Sequence, residues 1–388
     1  MKILQITPSY KPAYIYGGPT MSVAKLCESI KSYADIEVLT TTANGKVELN
    51  VVPDKQELVD GVPVTYYERI TKDHTHFSPA LLLALHRKIK YEKNRTVNDL
   101  IIHIHSWWNL VTIFSCLVAK INNIPVALSP RGMLTNYTQN NRNSILKSAI
   151  HILLGKSLLK YVHIIASTEL EKQDVLEIVK PKSISIIPNL VSLPNYNPVA
   201  IKKDIDDEKF KLIFLSRIEK KKGLDILFDA IALLTINWTL DIAGTGEEVY
   251  VESLKLKAKS LNIEQKLNWI GHISNENKFE LMKNYDLFVL SSHNENFANV
   301  VIECLSVGTP VFLSDKVGLS NYVLNNELGF VSSLQPKEIA FKLTEAFENK
   351  EKREHIRTSA PAVIEKDFNE TTLTKNYINQ YEKILNSK

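Results

Sequence analysis

The sequence predicts an α/β protein of two domains, each built on a parallel β-sheet. Short apolar runs rich in β-branched residues alternate with longer helical patterns, as in βαβ units whose strands are buried on both faces. These runs fall into two series along the 388 residues, and a stretch without clear periodicity separates them. The length also suits two domains of roughly 100 to 200 residues each.

The predicted strands follow one another in two groups. The first series comprises KILQIT, ADIEVLTT, VPVTYY, LIIHIH, PVALSP, HIIAST and ISIIPN. The second comprises KLIFLS, TLDIAG, LNWIG, DLFVLSS, TPVFLSD and GFVSS. Each run ends at small, polar or glycine residues before a helical pattern. Ligands of open α/β sheets bind beyond the carboxyl ends of the strands, so functional residues are expected in these connections.

The stretch between the two series, PNLVSLPNYNPVAIKKDIDDEKF, is interpreted as the interdomain linker. It places the first domain at residues 1–195 and the second at residues 196–370. The tail from about 371 to 388 is predicted to form a helix that packs on either domain, including back on the first. Its apolar stripe consists of Leu373, Tyr377, Tyr381 and Leu385.

Composition limits the class of protein. Hydrophobic residues make up 44% and charged residues 23% of the chain, which excludes collagen-like, disordered and small disulfide-stapled proteins. Cys27, Cys116 and Cys304 lie in apolar stretches, so we expect reduced core residues of a cytoplasmic protein and no metal site. The apolar run of MKILQITPSY is too short for a signal peptide, and no stretch approaches the roughly 20 apolar residues of a membrane span.

The net charge of +4 is unevenly distributed. Residues 1–195 hold 22 Lys and Arg against 15 Asp and Glu, an excess of +7, and the remainder of the chain carries −3. A basic half can attract nucleic acid, an anionic membrane surface or phosphorylated substrates. The sequence contains no helix-turn-helix, zinc-finger or RNA-binding aromatic signature, so no nucleic-acid partner is expected.

A pair of glycines follows the first predicted strand. Gly17 and Gly18 stand just before the helical pattern TMSVAKLCESI. Because they lack a Cβ, they let backbone N–H groups at the helix entrance approach a phosphate or a sugar. The same pair also fits a flexible turn without a ligand, and it is not the GxGxxG of dinucleotide-binding proteins.

Two histidines and an arginine lie at the ends of predicted strands. His103 and His105 alternate in LIIHIH and therefore point to the same face of the strand. His103 is expected to be a buried, satisfied core residue, whereas His105 stands next to the strand-end loop and is a candidate functional residue. Arg131 in PRGML follows the next strand and can form bidentate hydrogen bonds to a carboxylate or a phosphate. The alternative for Arg131 is an ion pair that supports its loop.

Two cations near the start of the second series suit a diphosphate. Arg217 follows a predicted strand, and Lys222 comes just before Gly223 and an amphipathic helical pattern. Two cations that meet at a helix entrance form a pocket for a group of charge about −2 or −3. Because the run of Lys220, Lys221 and Lys222 is typical of a solvated face, only Arg217 and Lys222 are assigned to the pocket.

Two glutamates, Glu295 and Glu303, stand eight residues apart in the segment HNENFANVVIECLSVGTPV. The spacing alone carries no weight, because Glu169 and Glu177 repeat it. Context separates the two pairs: Glu295 lies in a strand-end loop, and Glu303 lies one turn past Asn299, a good N-cap. One glutamate can then face a sugar and the other a ribose, with helix-start N–H groups between them for phosphate.

The order of these motifs identifies a resemblance to a known family. The GGP loop, the strand-end His105, the Arg217 to Gly223 segment, GTGEE, and the two glutamates followed by GTPV resemble the retaining glycosyltransferases of family 4, which have the GT-B fold. The resemblance spans the whole chain and is most specific in its second half. It implies two Rossmann-like domains with parallel sheets facing a cleft, the first for the acceptor and the second for a nucleotide-sugar. The PRGM segment is similar to that of bacterial enzymes of surface-polysaccharide assembly, such as lipopolysaccharide.

The resemblance implies a role for each matching residue. Arg217 and Lys222 would hold the donor diphosphate, and Glu303 would hold the ribose hydroxyls. Glu295 would bind the hydroxyls of the transferred sugar, and His105 would contact that sugar near the reacting carbon. The donor site would be completed by Gly17, Gly18, Gly244, Gly246, Phe297, Ala298 and Asn299.

The expected function is the transfer of a hexose-type sugar from a nucleoside diphosphate to a hydroxyl of a saccharide or lipid-linked acceptor, with retention of configuration. Arg131 is assigned to the acceptor side, and Asn296 and Ala298 depart from the glycines that many relatives have in this loop. No DxD pair stands beside the site, so neither a metal nor another cofactor is expected. Two alternatives remain: a nucleotide-sugar epimerase of related fold, and a non-catalytic sugar-binding protein.

The segment NNRNSILKSAIHILLGKSLLKY predicts an amphipathic helix. Its apolar stripe contains Ile145, Ala149, Ile152 and Leu153. The basic residues around or beyond that stripe are Arg142, Lys147, Lys156 and Lys160. Such a helix suits peripheral contact with the anionic inner face of the cell membrane. The same stripe equally suits packing on the sheet of its own domain.

Overall fold

The computed structural model describes residues 1–95, 99–135, 138, 154–194, 209–274 and 277–387. The chain divides into two units: unit 1 consists of Met1–Val191 with Glu370–Lys388, and unit 2 consists of Ser192–Asn369. The boundary predicted between residues 195 and 196 falls in a part of the linker, residues 195–208, that lies outside the described residues.

Unit 1 is built on an eight-stranded sheet and a small hairpin. Its strands are β1 (Lys2–Ile6), β2 (Asp35–Thr41), β3 (Ala43–Asn44), β4 (Val47–Glu48), β5 (Gln56–Val59), β6 (Val62–Tyr67), β7 (Leu100–His105), β8 (Val126–Ser129), β9 (His163–Ala166) and β10 (Ser183–Ile186). The sheet has the order β10-β9-β8-β7-β1-β2-β6-β5. Neighbouring strands run parallel except for β5, which is antiparallel to β6.

The predicted α/β class is confirmed, because each apolar run of the first series forms a strand of this sheet. Every residue of β7 is buried, as expected for a strand covered on both faces. The chain passes from β1 through β2 to β6 on one side and then returns to place β7 on the other side of β1. This reversal of strand order puts a crevice beyond the carboxyl ends of β1 and β7, which is where open α/β sheets bind ligands.

The hairpin of β3 and β4 and the edge strand β5 were not predicted. β3 and β4 are two residues long each, which is too short for a periodic pattern. A buried side chain holds the hairpin instead: Arg69 donates through Nε to Glu48 over 2.9 Å and through Nη2 to the Gly45 carbonyl over 2.9 Å.

Unit 2 contains a six-stranded parallel sheet. Its strands are β11 (Phe210–Leu215), β12 (Trp238–Ala243), β13 (Leu267–Gly271), β14 (Leu287–Leu290), β15 (Val311–Ser314) and β16 (Gly329–Ser332). The order is β13-β12-β11-β14-β15-β16, so all six runs of the second series are confirmed as strands. The order reverses between β11 and β14, and the crevice of this sheet lies beyond their carboxyl ends.

Helices follow most of the parallel strands. Those of unit 1 before the linker are α1 (Gly18–Ile30), α2 (Pro79–Arg95), α3 (Leu110–Ile121), α4 (Lys156–Leu159) and α5 (Glu169–Ile178). Those of unit 2 are α6 (Leu224–Ile231), α7 (Glu248–Ser260), α8 (Lys278–Met282), α9 (Asn299–Ser306), α10 (Ser320–Asn325), α11 (Pro336–Glu348) and α12 (Lys350–Asp367).

The last helix, α13 (Glu370–Asn386), belongs to unit 1. Its buried face includes Tyr377 and Tyr381 as predicted, but Ile384 is buried where the four-residue spacing pointed to Leu385. The spacing of an α-helix averages 3.6 residues per turn, so a strict interval of four drifts off the buried face. The hydroxyl of Tyr381 lies 2.7 Å from Nδ1 of His103, which ties the helix to the centre of the sheet.

The three cysteines are free and buried, as the sequence predicted. Burial raises the pKa of Cys27 and of Cys116 to about 12, so both thiols stay protonated at neutral pH. No described helix combines the length and the apolar character needed to cross a bilayer.

The proposed membrane-contact helix falls largely on residues 139–153, which lie outside the described residues. Only its basic end is described: Lys156 begins the short helix α4 and Lys160 follows it. The prediction of membrane contact by this segment therefore stays a prediction.

Candidate functional site

The turn before α1 takes a conformation that requires glycine. Gly17 has φ 65° and ψ −137° and occupies the N-cap position of the helix that begins at Gly18. A Cβ on Gly17 would meet none of the described atoms within 4 Å, so this side of the turn is open. The first N–H groups of a helix lack intrahelical partners, and the turn presents them at the carboxyl edge of the sheet.

His103 is a satisfied core residue, as expected. Its Nδ1 lies 2.7 Å from the Tyr381 hydroxyl and its Nε2 lies 2.9 Å from the Ser129 hydroxyl. Burial lowers its pKa well below the ordinary value, and the charge of Arg131 acts in the same direction. The ring is therefore neutral at physiological pH.

His105 closes β7 at the crevice beside β1. Its Nε2 lies 2.6 Å from Oε1 of Gln5, and its Nδ1 accepts a hydrogen bond of 3.3 Å from Nε of Arg131. Because the guanidinium can only donate, the proton of the neutral ring resides on Nε2 and is donated to Gln5. Burial lowers the pKa of His105 well below its ordinary value. A direct hydrogen bond from either ring nitrogen to a sugar thus requires one of these two bonds to open.

Arg131 follows β8 in the left-handed conformation, with φ 52°. Its Nη1 donates to the Ser22 hydroxyl over 2.9 Å and to Oδ1 of Asn189 over 2.8 Å. The ion pair considered as an alternative does not occur within the described ranges. A different residue holds the loop: the carboxylate of Glu171 accepts the N–H of Gly132 over 2.7 Å.

Arg217 and Lys222 occupy different environments in unit 2. Arg217 follows β11, is half exposed, and lies 2.7 Å from a carboxylate oxygen of Glu219. Lys222 is buried and forms an ion pair with Glu295. Burial alone would raise the pKa of the Glu295 carboxyl. The charges of Lys222, Lys221 and Arg217 outweigh burial, so this pKa is lowered. Glu295 is therefore ionised at neutral pH.

The run of three lysines is not a uniformly solvated face. Lys220 is exposed, Lys221 is partly buried and Lys222 is buried. Burial lowers the pKa of Lys221, and the charge of Glu295 opposes that shift. The carbonyl of Lys221 also accepts the N–H of His293 over 2.9 Å. Sequence reasoning missed Lys221, because the side-chain exposure within a run of like residues leaves no pattern.

The loop after β14 reaches the helix α9 through a strained residue. Ala298 has φ 63° and takes the N-cap position, and the helix begins at Asn299. The predicted N-cap at Asn299 is therefore wrong by one residue. A left-handed Ala costs roughly 1 kcal/mol, a cost that a glycine at this position would avoid. Phe297 is buried and meets the ring of Phe368 edge to face at 6.0 Å.

Glu303 is paired with a residue that the sequence did not reveal. Its Oε1 lies 2.7 Å from Nζ of Lys278, the first residue of α8, and both side chains are largely buried. The two residues are 25 positions apart, so no local spacing could have linked them. Within the described part of the chain, no group of three His, Cys, Asp or Glu side chains is arranged to hold a metal ion.

Gly244 and Gly246 are explained by close packing of backbone. A Cβ at Gly244 would lie 1.8 Å from the Ser216 carbonyl oxygen, and one at Gly246 would lie 2.2 Å from the carbonyl oxygen of Ile218. These contacts bring the connection after β12 against the connection that carries Arg217. Contact with a donor remains a prediction for both glycines.

Comparison with known proteins follows the same division of the chain. Residues 16–193 match the family model described as Glycosyltransferase Family 4, and residues 199–363 match Glycosyl transferases group 1. The chain is 23% identical to glycogen synthase of Mycobacterium tuberculosis, over 88% of this chain and 84% of that protein.

Two further similarities are to an enzyme of Campylobacter jejuni and to a solved structure from Anabaena. The chain is 28% identical to N-acetylgalactosamine-N,N'-diacetylbacillosaminyl-diphospho-undecaprenol 4-alpha-N-acetylgalactosaminyltransferase of Campylobacter jejuni, over 56% of this chain and 60% of that one. The structure of HepE from Anabaena in complex with UDP and glucose has a TM-score of 0.72 at 18% identity and covers 99% of this chain and 100% of that chain.

The backbone contact of Gly244 can be tested against a matched glycine. Gly271 also has a positive φ, of 73°, but a Cβ there would meet no described atom within 4 Å. Both Gly→Ala changes carry conformational strain, but only Gly244→Ala adds a clash. Gly244→Ala should therefore lower the free energy of unfolding by roughly 2 kcal/mol more than Gly271→Ala in urea denaturation. Equal losses would contradict the packing role.

Proposed function

Because the chain belongs to the family 4 glycosyltransferases with the GT-B fold, we propose that it transfers a sugar from a nucleoside diphosphate to a hydroxyl of a saccharide or lipid-linked acceptor, with retention of the anomeric configuration. The diphospho-undecaprenol in the name of the Campylobacter relative supports the lipid-linked class. The lipopolysaccharide 1,6-galactosyltransferase of Salmonella typhimurium, 28% identical over 39% of this chain, supports a role in assembling a surface polysaccharide. One observation carries the proposal most: three cations surround the ionised Glu295 at the strand-order reversal of unit 2.

The cluster of Arg217, Lys221, Lys222 and Glu295 suits a sugar diphosphate. Arg217 follows β11 and Glu295 follows β14, so the cluster lies at the crevice between these strands. A departing nucleoside diphosphate gains negative charge in the transition state, and cations held at this crevice stabilise that charge. No metal ion is needed for this stabilisation, so we expect transfer to proceed without one.

Glu295 is proposed to bind hydroxyls of the transferred sugar. Its backbone is fixed on both sides: its N–H donates to the Lys316 carbonyl over 3.1 Å, and its carbonyl accepts the N–H of Gly318 over 2.8 Å. An ionised carboxylate accepts hydrogen bonds from hydroxyl groups, and Lys222 can turn from it to a phosphate oxygen. Glu303, paired with Lys278, is proposed as the acceptor of ribose hydroxyls.

Unit 1 is proposed to supply the remaining contacts. The open turn at Gly17 and Gly18 would approach the donor with backbone N–H groups. His105, whose neutral ring is fixed by Gln5 and Arg131, would form a polar wall next to the transferred sugar. Arg131 would lie on the acceptor side.

A nucleotide panel tests the proposed donor class. UDP, GDP, ADP and dTDP are compared by thermal shift, and the cognate nucleotide at 100 times its dissociation constant should stabilise the protein by about 2.7 kcal/mol. The matching nucleotide-sugar is then incubated without acceptor. Epimerisation of that sugar would support the alternative enzyme, and the absence of binding by all four nucleotides would contradict the proposed function.

The diphosphate contacts can be tested by Arg217→Ala and Lys222→Ala. Each removes a charge that strengthens its interaction as the leaving group departs, so turnover should fall by roughly 100-fold or more. Arg217→Ala should leave the free energy of unfolding nearly unchanged, because its ion pair with Glu219 is exposed. Near-normal turnover in both variants would place the donor site elsewhere.

Lys222→Ala should also reduce stability, in a way that depends on pH. It leaves the largely buried Glu295 without the lysine that forms its ion pair, which should cost about 2 to 3 kcal/mol at neutral pH. The folded pKa of Glu295 is lowered, so the stability from this pair is present above the ordinary carboxyl range and is lost as the pH falls through the lowered pKa. The difference in Tm between wild type and variant should therefore shrink on acidification.

Variants of Glu295 and Glu303 should have different effects on kcat and on the donor KM. Glu303→Gln weakens a contact made equally in the ground and transition states, so the donor KM should rise more than kcat falls. Glu295→Gln touches the reacting sugar, so it should mainly lower kcat. Glu169→Gln is the control, because Glu169 is exposed on α5 and paired with Lys172. The reverse pattern of KM and kcat would exchange the two roles.

A further inference from the structure

Among the described residues, the guanidinium of Arg131 has hydrogen-bond partners but no counter-ion. Its three hydrogen bonds go to the Ser22 hydroxyl, Oδ1 of Asn189 and Nδ1 of His105, all of them neutral. Its other terminal nitrogen, Nη2, has no hydrogen-bond partner in the described part of the chain. A partly buried guanidinium without a carboxylate loses part of its hydration, and neutral acceptors replace that hydration only in part.

The carboxylate of Glu171, which acts electrostatically on Arg131, is already bound to backbone N–H groups. Glu171 is buried and accepts the N–H of Gly132 over 2.7 Å through one oxygen and the N–H of Ser167 over 2.7 Å through the other. It acts on Arg131 only from a distance, by raising its pKa against the lowering effect of burial. Glu171 therefore fixes the loop and does not form an ion pair with the guanidinium.

The loop also holds Arg131 in an unfavourable backbone conformation. Its φ of 52° is left-handed, a region that non-glycine residues seldom occupy, and Gly132 follows at φ 74°. Strain of this kind persists only where the surroundings enforce it, and it collects at ligand sites. Here the enforced conformation places an uncompensated cation at the carboxyl edge of the sheet, next to the end of β7.

We infer that Arg131 is the receptor for an oxyanion, a carboxylate or a phosphate, carried by the acceptor. The inference rests on the proposed function and names the chemical class of its acceptor. The donor diphosphate already has Arg217, Lys221 and Lys222 in that proposal, whereas the anion for Arg131 is unassigned. An oxyanion on Nη2 would supply the missing counter-ion with a charge-assisted hydrogen bond.

Matched pairs of probes test this charge preference and identify its source. Methyl β-glucuronide is compared with methyl β-glucoside for a sugar carboxylate, and glucose 6-phosphate with glucose for a phosphate monoester. Glucosyl geranyl diphosphate is compared with octyl glucoside to test recognition of a lipid diphosphate. Binding is measured by isothermal titration at low salt, with and without the nucleotide found in the thermal-shift panel. In at least one pair the anionic member should bind about 10- to 100-fold more tightly.

Variants assign the preference to Arg131. Arg131→Gln should abolish the ratio between the two members of the pair, and Arg131→Lys should retain part of it because it keeps the charge but loses the fork. Arg87→Gln removes an exposed arginine of α2 and should leave the ratio unchanged. Without ligand, the Tm of Arg131→Gln should fall by only a few °C, because the variant loses hydrogen bonds to neutral acceptors but no ion pair. A structural cation would instead show a large fall.

Three results would overturn the inference. The first is a wild-type protein that ignores charge in all three pairs, and the second is a ratio that survives in Arg131→Gln. The third is an Arg131→Gln variant whose affinity for the nucleoside diphosphate falls while its affinity for the anionic probe is kept, which would assign Arg131 to the donor. If nucleotide binding and transfer to neutral sugars persist while the charge preference is absent, the inference fails and the proposed function stands. If the charge preference is present but no nucleotide binds, the proposed function fails instead.

Discussion

The ion pair between Lys222 and Glu295 is the interaction on which the site of unit 2 depends. It joins the connection after β11 to the connection after β14, across the reversal of strand order. The two connections lie so close that a Cβ on Gly223 would stand 2.0 Å from the carbonyl oxygen of Ser291. Only a glycine fits this approach, and its φ of 68° ends the turn that carries Lys222. The charges are therefore held in place by backbone packing before a ligand arrives.

Unit 1 has a different electrostatic arrangement at the corresponding edge of its sheet. The groups at its crevice are neutral or singly positive, because His105 is uncharged and Arg131 has only neutral acceptors. The buried carboxylate of Glu171 is used to hold backbone N–H groups. In unit 2, Arg217 is paired with Glu219 and Lys222 is paired with Glu295. An anion at unit 1 would be attracted by a guanidinium that is paired with no carboxylate among the described residues. An anion at unit 2 must compete with Glu219 and Glu295 for the cations there.

The sequence predicted the elements well and the pairings poorly, for a physical reason. Apolar runs and the turn residues that end them are local, so the parallel strands of both sheets were predicted. Lys278 and Glu303 meet only because α8 and α9 lie side by side, and no periodicity along the chain records that contact. Likewise, the acceptors of Arg131 come from three separate elements. The sequence predicted Asn299 as the N-cap, but the N-cap is Ala298, because the loop geometry overrides the capping preference of Asn299.

The resting charges of unit 2 also decide how a donor can be held. The cluster contains three cations, Arg217, Lys221 and Lys222, and two carboxylates, Glu219 and Glu295. Its net charge is therefore +1, which is too small to neutralise the two or more negative charges of a diphosphate. Tight binding therefore requires a carboxylate to leave its cation and find another partner. Glu295 can do so without taking up a proton, since its pKa is lowered and it is already ionised. Sugar hydroxyls would satisfy its oxygens as Lys222 turns to phosphate, so sugar and diphosphate would support each other's binding.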